Sequence, residues 1–131
     1  MLQLRFGVSV VGPTCAGKST CMRVLNESMT RLRRDRNSTN PNFRIIKETI
    51  VNPKSISMGE LYGEYNLLTM EWKDGLASTI IRMDTNEEGE ECHLITFDGP
   101  VDTLWIESMN TVLDDNKVLT LLNGDRISLP A

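Results

Sequence analysis

The sequence predicts an α/β fold in which helices flank a parallel sheet, and three observations support it. Short apolar segments of strand length alternate with longer segments whose apolar residues recur every three or four positions. A glycine-rich turn, Gly12 to Ser19, stands directly between the first predicted strand and the first predicted helix. The 131 residues, 40% of them hydrophobic, are enough for one hydrophobic core, so we expect residues 1–131 to form a single domain.

The apolar pattern of the amino-terminal half predicts a strand, a helix and a second strand. Phe6 to Val11 is apolar and β-branched and ends at a Gly-Pro pair, as a short buried strand does. From Lys18 to about Arg34 the apolar residues share one helical face, which we expect to be core. That face is formed by Met22, Leu25, Met29 and Leu32. Phe43 to Val51 is predicted to be the second strand, and the punctuation of Asn52 to Asn66 indicates a loop.

The next elements are a helix, an acidic connection and a third strand. The predicted helix has an apolar face formed by Trp72, Leu76, Ile80 and Met83. Asp74 is its expected cap. We interpret Asp84 to Glu91 as an exposed connection, although a Mg²⁺ role for it stays open. His93 to Phe97 is the predicted third strand.

A helix and a hairpin are predicted for the end of the chain. The apolar positions from Val101 to Val112 predict a helix that ends near Asn116. The pair Asn123-Gly124 lies between two short apolar segments, Val118 to Leu122 and Arg126 to Leu129. This pattern predicts a hairpin with a primed turn, because both central residues tolerate a positive φ.

Charge and cysteine content exclude several classes of protein. A net charge of −4 argues against a nucleic-acid partner, and the basic run Arg31 to Arg36 fits a solvated helix end better than a docking patch. No apolar run has the length of a membrane span. Cys15, Cys21 and Cys92 lack the spacing of a metal site or a disulfide framework, so we expect the reducing cytoplasm. Cys15 is interpreted as a passive loop residue, with a redox switch as the less favoured alternative.

The glycine-rich turn matches the pattern G-x-x-x-x-G-K-[ST] in full. Its glycines let the backbone wrap closely around phosphates, so that successive N–H groups form an anion nest at a positive helix end. Lys18 supplies a cation for the β- and γ-phosphates, and the Ser19 hydroxyl suits Mg²⁺. We therefore predict binding of ATP or ADP with Mg²⁺. The predicted nucleotide-binding residues are Gly12, Pro13, Thr14, Cys15, Ala16, Gly17, Lys18, Ser19 and Thr20.

A second metal ligand is expected at Asp98, because phosphate loops of this class need a carboxylate at the end of a nearby strand. The alternative role for Asp98 is a helix cap, but Asp102 suits the cap better. ATPases of the AAA+ kind normally place Glu directly after this Asp to polarise the attacking water, whereas Gly99 has no side chain. We therefore predict no catalytic residue and very slow hydrolysis. Asp102 or Glu107 as a substitute base is the less favoured alternative.

With these residues in place, the chain resembles the second AAA+ module of a dynein heavy chain, of the axonemal rather than the cytoplasmic type. The resemblance spans nearly the whole sequence. Besides the glycine-rich turn, it rests on Asn52 to Gly63, on Glu71 to Gly75 and, most specifically, on Phe97 to Lys117.

The resemblance implies the large subdomain of a P-loop NTPase, part of a ring of AAA+ modules that moves along microtubules in the axoneme of a cilium or flagellum. In that family the second module is similar to a fixed ATP holder. Its implied partners are the neighbouring modules of the same heavy chain, and microtubules are reached only through other parts. Lys18, Ser19 and Asp98 carry over as phosphate and metal residues.

A family module continues beyond Ala131 with a fourth strand, so the chain is expected to be a piece truncated before that strand. Adenine contacts, the arginine finger and the lid would also lie outside it, which implies weak affinity. We expect the resulting gap in the sheet to be filled by a swapped element, by the terminal hairpin or by a second copy, so that the piece self-associates. A small P-loop kinase and an interaction domain without nucleotide stay open as alternative functions.

Overall fold

A computed structural model describes residues 7–35, 43–87, 89, 91–113 and 116–129 of the chain. The described elements are α1 (Lys18–Asp35), β1 (Ile46–Val51), α2 (Met58–Tyr62), β2 (Gly63–Tyr65), β3 (Trp72–Asp74), α3 (Leu76–Asn86), β4 (Cys92–Phe97), α4 (Thr103–Leu113), β5 (Val118–Thr120) and β6 (Arg126–Ser128). Within these ranges the strands form three two-stranded sheets, β1 with β4, β2 with β3 and β5 with β6. The mixed α/β class is confirmed, although the strands do not join into one sheet.

The sheet of β1 and β4 is parallel. At one end Cys92 N–H donates to the Ile45 carbonyl (2.8 Å), and at the other Asp98 N–H donates to the Val51 carbonyl (2.9 Å). Both strands therefore advance in the same direction. The strands predicted at Phe43 to Val51 and His93 to Phe97 are confirmed, the first with a later start.

The predicted first strand is wrong for the part of it that the structure describes. Residues 7–11 are not a strand, and the side chains of Val8, Val10 and Val11 are 44%, 46% and 85% exposed. A strand needs a neighbour for its N–H and C=O groups, and none of the described residues pairs with this segment. Filling of the sheet gap by the terminal hairpin is also wrong, because β5 and β6 pair only with each other in the described ranges.

The chain divides into two compact units, of which the first comprises Met1–Thr49 and Gly89–Thr96. In this unit α1 is fixed by polar contacts. Ile46 N–H donates to Thr30 Oγ1 (3.1 Å), and Asn26 Nδ2 donates to Glu48 Oε2 (2.7 Å). The buried residue of α1 is Asn26, so the expectation of an apolar stripe as core is wrong there. The reason is that Glu48 of β1 faces this part of α1, and its carboxylate needs a polar partner, which Asn26 supplies.

The second unit comprises Ile50–Glu88 and Phe97–Ala131 and contains most of the apolar core. Its most deeply buried side chains are Leu61, Ser78, Ile81 and Leu119. Ser78 Oγ donates to the carbonyl of Tyr62, and Tyr62 Oη donates to the carbonyl of Trp105. These two bonds connect α2 with α3 and α4, and they satisfy polar atoms that burial would otherwise leave without a partner.

The loop predicted for Asn52 to Asn66 is wrong, because this segment contains α2 and β2. A capping box starts the helix: Glu60 N–H donates to Ser57 Oγ (3.2 Å), and Ser57 N–H donates to Glu60 Oε2 (2.8 Å). The bond from the Ser57 backbone lowers the pKa of Glu60. The signature S-x-x-E is visible in the sequence and was the local signal for this helix.

Ser57→Ala is expected to lower the free energy of unfolding by about 1 kcal/mol, because the first turn of α2 loses its side-chain acceptor. Urea unfolding followed by circular dichroism measures the change. Ser128→Ala, at an exposed strand position, is the matched control and is expected to stay within about 0.5 kcal/mol of the native chain. Equal stabilities of the two variants would contradict the capping role.

The predicted start of α3 is also wrong. Trp72–Asp74 forms β3, with Tyr65 opposite Trp72 and Gly63 opposite Asp74, and the helix begins at Leu76. Gly75 is the N-cap, and it makes no side-chain cap bond. Instead of capping, Asp74 accepts from Trp72 Nε1 (2.7 Å) and pairs with Arg82 Nε (2.8 Å). The acidic stretch predicted to be an exposed connection, Asp84 to Glu91, begins inside this helix, which continues to Asn86.

The buried Tyr62 hydroxyl gives the second unit a dependence on alkaline pH. Burial raises the pKa of Tyr62 to about 12. As pH rises, the Tyr62 hydroxyl loses its proton in the unfolded chain before it does so in the folded chain. The stabilisation contributed by the protonated hydroxyl is therefore complete below about pH 10 and is lost as pH rises towards 12.

Tyr62→Phe leaves the Trp105 carbonyl without its hydrogen bond, so this variant is expected to be less stable than the native chain at neutral pH. Because it has no hydroxyl to titrate, its stability is expected to fall less than that of the native chain between about pH 9 and 12. Denaturant midpoints across this range measure the difference. Tyr65→Phe is the control, since Tyr65 is 46% exposed, and it should follow the native pH profile. A parallel loss in the Tyr62 variant would show that another group causes the dependence.

The end of the chain agrees with the predicted helix and hairpin in outline. Trp105, Met109 and Val112 form the buried face of α4, whereas Val101 and Leu104 are exposed. The structure describes α4 from Thr103 to Leu113, and Asn116 lies in a turn. The two strands of the hairpin pair antiparallel, and Thr120 lies opposite Arg126 next to the loop.

The turn type of the hairpin differs from the prediction. Gly124 has a φ of +88°, but Asn123 is not among the described residues with positive φ. Gly124 N–H donates to the Leu121 carbonyl (3.0 Å), and Leu121 N–H donates to the Asp125 carbonyl (2.9 Å). This is the arrangement of an ordinary turn followed by one left-handed glycine, so a primed turn is wrong here.

Candidate phosphate-binding site

The glycine-rich turn is bent, as a phosphate-binding loop requires. Cys15 and Gly17 both have left-handed backbones, with φ of +62° and +84°, and Ala16 N–H donates to the Pro13 carbonyl (3.3 Å). Left-handed residues within a turn belong to the backbone conformations from which anion-binding nests of N–H groups are built. Gly17 adopts this conformation at no steric cost, whereas Cys15 is a strained position.

The turn leads directly into the amino terminus of α1. Cys21 N–H donates to the Gly17 carbonyl (2.9 Å), so the N–H groups of Lys18, Ser19 and Thr20 precede the first helical bonds. These groups carry the positive end of the helix dipole. The side chains of Ser19 and Thr20 are exposed. The N–H groups of Lys18, Ser19 and Thr20 are therefore left for a partner other than the helix, and the binding of nucleotide by the predicted residues stays a prediction.

The ammonium group of Lys18 lies against the turn. Its Nζ donates to the carbonyls of Gly12 (2.9 Å) and Pro13 (2.7 Å). A positive charge therefore lies beside the bend. The two carbonyls that accept from it belong to residues five and six positions earlier in the sequence. The cation, the helix end and the bend are together what an anionic group of the size of a phosphate requires.

Asp98, the second predicted metal ligand, follows β4 directly. Its N–H donates to the Val51 carbonyl (2.9 Å), and its side chain is exposed. Within the described part of the chain its carboxylate has no hydrogen-bond or ion-pair partner. The capping role considered for Asp98 is not seen, because the cap of α4 is Asp102. Ser19 lies in the first unit and Asp98 in the second, and their joint metal site stays a prediction.

Asp102 is fully engaged in structural contacts. Its Oδ1 accepts from Leu104 N–H (3.1 Å), and its Oδ2 pairs with Lys54 Nζ (2.6 Å). The hydrogen bond from Lys54, followed by that from Leu104, lowers the pKa of Asp102. A carboxylate held ionised in this way is a poor proton acceptor, so the predicted cap is confirmed and the substitute base is disfavoured.

A polar cluster in the first unit was not predicted from the sequence. The carboxylate of Glu48 accepts from Asn26 Nδ2 and from Thr96 Oγ1, both at 2.7 Å. Since the three residues are far apart in the sequence, only the tertiary structure could reveal the cluster. Beside it lies an open cavity of about 360 Å³. It is lined by Arg23, Asn26, Glu27, Thr30, Arg31, Arg34, Ile46 and Glu48, and none of these belongs to the glycine-rich turn.

Comparison with known proteins gives one consistent group of relatives. Dynein axonemal heavy chain 2 of Mus musculus is 51% identical over 126 residues, which is 96% of this chain and 3% of the relative. Dynein axonemal heavy chain 6 of Homo sapiens is 52% identical over the same length. The dynein-1-beta heavy chain of the flagellar inner arm I1 complex of Chlamydomonas reinhardtii is 46% identical over 125 residues. No family model matches the chain.

These relatives are far longer than the chain, which spans 3% of their length. Within the described ranges, no helix combines the length and the apolar character needed to cross a membrane.

Proposed function

We propose, because this chain is homologous over 96% of its length to axonemal dynein heavy chains, that it is the nucleotide-holding part of one AAA+ module of such a motor. The resemblance of Phe97 to Lys117 favours the second module of the ring. The proposed setting is the axoneme of a cilium or flagellum. The proposed partners are the neighbouring modules, and contact with microtubules is left to other parts of the heavy chain.

The observation that carries the proposal is the bent turn with Lys18 folded against it. A triphosphate is polyanionic, and its binding needs several donors that are already oriented. Here the left-handed residues Cys15 and Gly17 set the bend, and the Lys18 ammonium lies within hydrogen-bonding distance of the turn carbonyls. In the proposed complex, Lys18 exchanges these carbonyls for phosphate oxygens, and the N–H groups of Lys18, Ser19 and Thr20, which make no helical bond, bind the remaining charge.

The donor set fits Mg²⁺. This ion prefers hard oxygen ligands, keeps most of its waters and accepts one or two protein oxygens. The exposed hydroxyl of Ser19 and the carboxylate of Asp98, which lacks a partner within the described ranges, are ligands of that kind. When bound, the metal would neutralise phosphate charge.

Slow hydrolysis is the second part of the proposal. A water molecule that attacks the γ-phosphate must lose a proton to a nearby base. Gly99 has no side chain at the usual position of that base, and Asp102 is ion-paired with Lys54. The site therefore binds ATP as a structural or regulatory ligand, and turnover belongs elsewhere in the motor.

A calorimetric titration with Mg-ATP, beside a phosphate-release assay on the same sample, tests both parts. We expect measurable but weak binding with phosphate release close to the rate without protein. Transfer of phosphate to an added metabolite would instead indicate a small kinase. The absence of any heat of binding at millimolar Mg-ATP would favour an interaction domain without nucleotide.

A further inference from the structure

The open cavity in the first unit runs along one face of α1. Asn26, Glu27 and Arg34 line it at three, four and eleven positions after Arg23, which also lines it. Residues at these spacings lie on the same side of an α-helix. All of the lining residues belong to the first unit. The cavity is therefore described completely within one compact unit.

Three charged side chains at this cavity are free to bind another molecule. Within the described part of the chain, Arg23, Glu27 and Arg34 make no hydrogen bond or ion pair through their side chains, and all three are exposed. Guanidinium and carboxylate groups bind most strongly to groups of opposite charge. Arg34 belongs to the basic run for which the sequence favoured a solvated helix end over a docking patch.

The amide of Asn26 leaves a further group unsatisfied at the cavity. Asn26 is 9% exposed, and its Nδ2 donates to Glu48 Oε2 (2.7 Å). This bond fixes the amide orientation, because an amide oxygen turned towards the carboxylate would be repelled. Oδ1 is therefore the atom that is buried without a hydrogen-bond partner among the described residues. It lacks an N–H or O–H donor, and one reaches it when the cavity wall moves, since the atom is covered in the free chain.

The spacing of the charges indicates an elongated ligand. Arg23 and Arg34 are about 16 Å apart along the helix axis, and Glu27 is about 6 Å from Arg23 on the same scale. This separation suits an extended peptide of about five or six residues better than a single small anion. A nucleic-acid strand carries only negative charge and would be repelled by Glu27 and Glu48. A peptide can instead present an acidic, a basic and again an acidic side chain.

We propose that this cavity binds an extended peptide segment of a partner protein, with acidic side chains on Arg23 and Arg34 and a basic side chain between them on Glu27. The peptide backbone supplies the N–H donor that Asn26 Oδ1 lacks. The guanidinium groups form charge-assisted bonds to the acidic side chains. The proposal does not depend on nucleotide binding, because none of the lining residues belongs to the glycine-rich turn.

Two synthetic peptides with a fluorescent label test the order of the charges. ESKSESE presents its acidic residues and its lysine on one face, because alternate side chains of an extended peptide share a face. KSESESE has the same composition and net charge, but when it pairs with Arg23 it places a glutamate opposite Glu27. Fluorescence polarisation, with the chain titrated into each peptide, measures the affinities. We expect ESKSESE to bind at least about fivefold more tightly than KSESESE, and Glu27→Gln to remove this preference. Equal affinities for the native chain would overturn the proposal, as would the binding of neither peptide at millimolar chain concentration.

Arg23→Ala and Arg34→Ala test the two ends of the cavity. Each is expected to weaken the binding of ESKSESE at least about fivefold, since each removes one charge-assisted pair. Both replace exposed side chains, and circular dichroism checks that α1 is retained. Arg44→Ala is the matched control, because it removes an exposed positive charge of the same unit that does not line the cavity. We expect it to bind ESKSESE within about twofold of the native chain.

Three other outcomes would overturn the proposal. An equal loss in Arg44→Ala would mean that the peptide is attracted by general charge. Tighter binding of a labelled single-stranded oligonucleotide than of ESKSESE would assign the cavity to nucleic acid. A molecular mass that rises with concentration in sedimentation experiments, and no longer does so in Arg23→Ala, would assign it to a second copy of the chain.

Discussion

Lys18→Ala is expected to weaken Mg-ATP binding by about 10- to 100-fold, as the loss of one charge-assisted contact to phosphate implies. In the structure the ammonium is already beside the turn, bonded to the carbonyls of Gly12 and Pro13, so it needs little movement to reach an anion there. Isothermal titration calorimetry with Mg-ATP in the millimolar range measures the change. The same titration with Mg-ADP is expected to show a smaller loss, because the γ-phosphate is missing.

Arg31→Ala is the matched control for Lys18→Ala. It removes one positive charge from the same helix, at an exposed position nearer the other end of α1. We expect its affinity for Mg-ATP to stay within about threefold of the native value, since exposed charges away from a site act only through screened attraction. An equal loss in both variants would mean that ATP is attracted by general charge and not held by the turn.

Gly75→Ala is expected to destabilise the second unit by about 3 kcal/mol or more, at or beyond the upper end of what overpacking costs. A Cβ atom at this position would lie 2.5 Å from the carbonyl carbon of Leu61 and 2.6 Å from the backbone nitrogen of Gly63. Both neighbours are backbone atoms, so no side-chain rotation can relieve the clash. Either α2 or the start of α3 has to move. Urea unfolding, followed by fluorescence, measures the loss of stability.

Gly89→Ala is the control for Gly75→Ala. Position 89 is exposed, and the nearest atom to an added Cβ is the backbone nitrogen of Glu91 at 3.9 Å, an ordinary contact. We expect it to change the free energy of unfolding by less than about 1 kcal/mol. Comparable losses in the two variants would show that alanine is unfavourable at both glycines for reasons other than the approach of α2.

The elements that the sequence predicted well are those whose signals are local. The long helix α1 begins at the predicted residue because a helix-forming pattern follows directly on a glycine-rich turn. The capping role of Asp102 and the hairpin around Gly124 also depend on neighbouring residues alone. The capping box of Ser57 and Glu60 was equally local, and it was missed because the glycine and proline residues around it suggested a loop.

The elements that were mispredicted depend on partners far away in the sequence. Trp72 falls at helical spacing from Leu76, but its backbone pairs with that of Tyr65 across a two-stranded sheet. Residues 7–11 have the composition of a strand, and the described structure offers them no neighbour with which to form one. Apolar periodicity indicates which secondary structure a segment prefers, whereas a strand forms only when a second segment lies at hydrogen-bonding distance.

The features around the candidate site also divide into those with local signals and those that depend on distant residues. The motif spacing identified the turn and its lysine, because the chemistry of that motif is contained in consecutive residues. The closeness of Pro53 to Gly99 and the pairing of Lys54 with Asp102 join positions that are 46 to 48 residues apart. Such contacts arise from the packing of the second unit, and no local pattern could have indicated them.

The division of the chain into two units has an optical consequence. Both tryptophans and both tyrosines belong to the second unit: they are Trp72, Trp105, Tyr62 and Tyr65. Trp72 is edge-on to Tyr65, and Trp105 is stacked on Phe97, so their emission should respond to changes in these surroundings. Residues 1–49 and 89–96 of the first unit contain neither tryptophan nor tyrosine, so intrinsic fluorescence reports on the second unit, and nucleotide binding at the glycine-rich turn is followed by heat or by a labelled nucleotide.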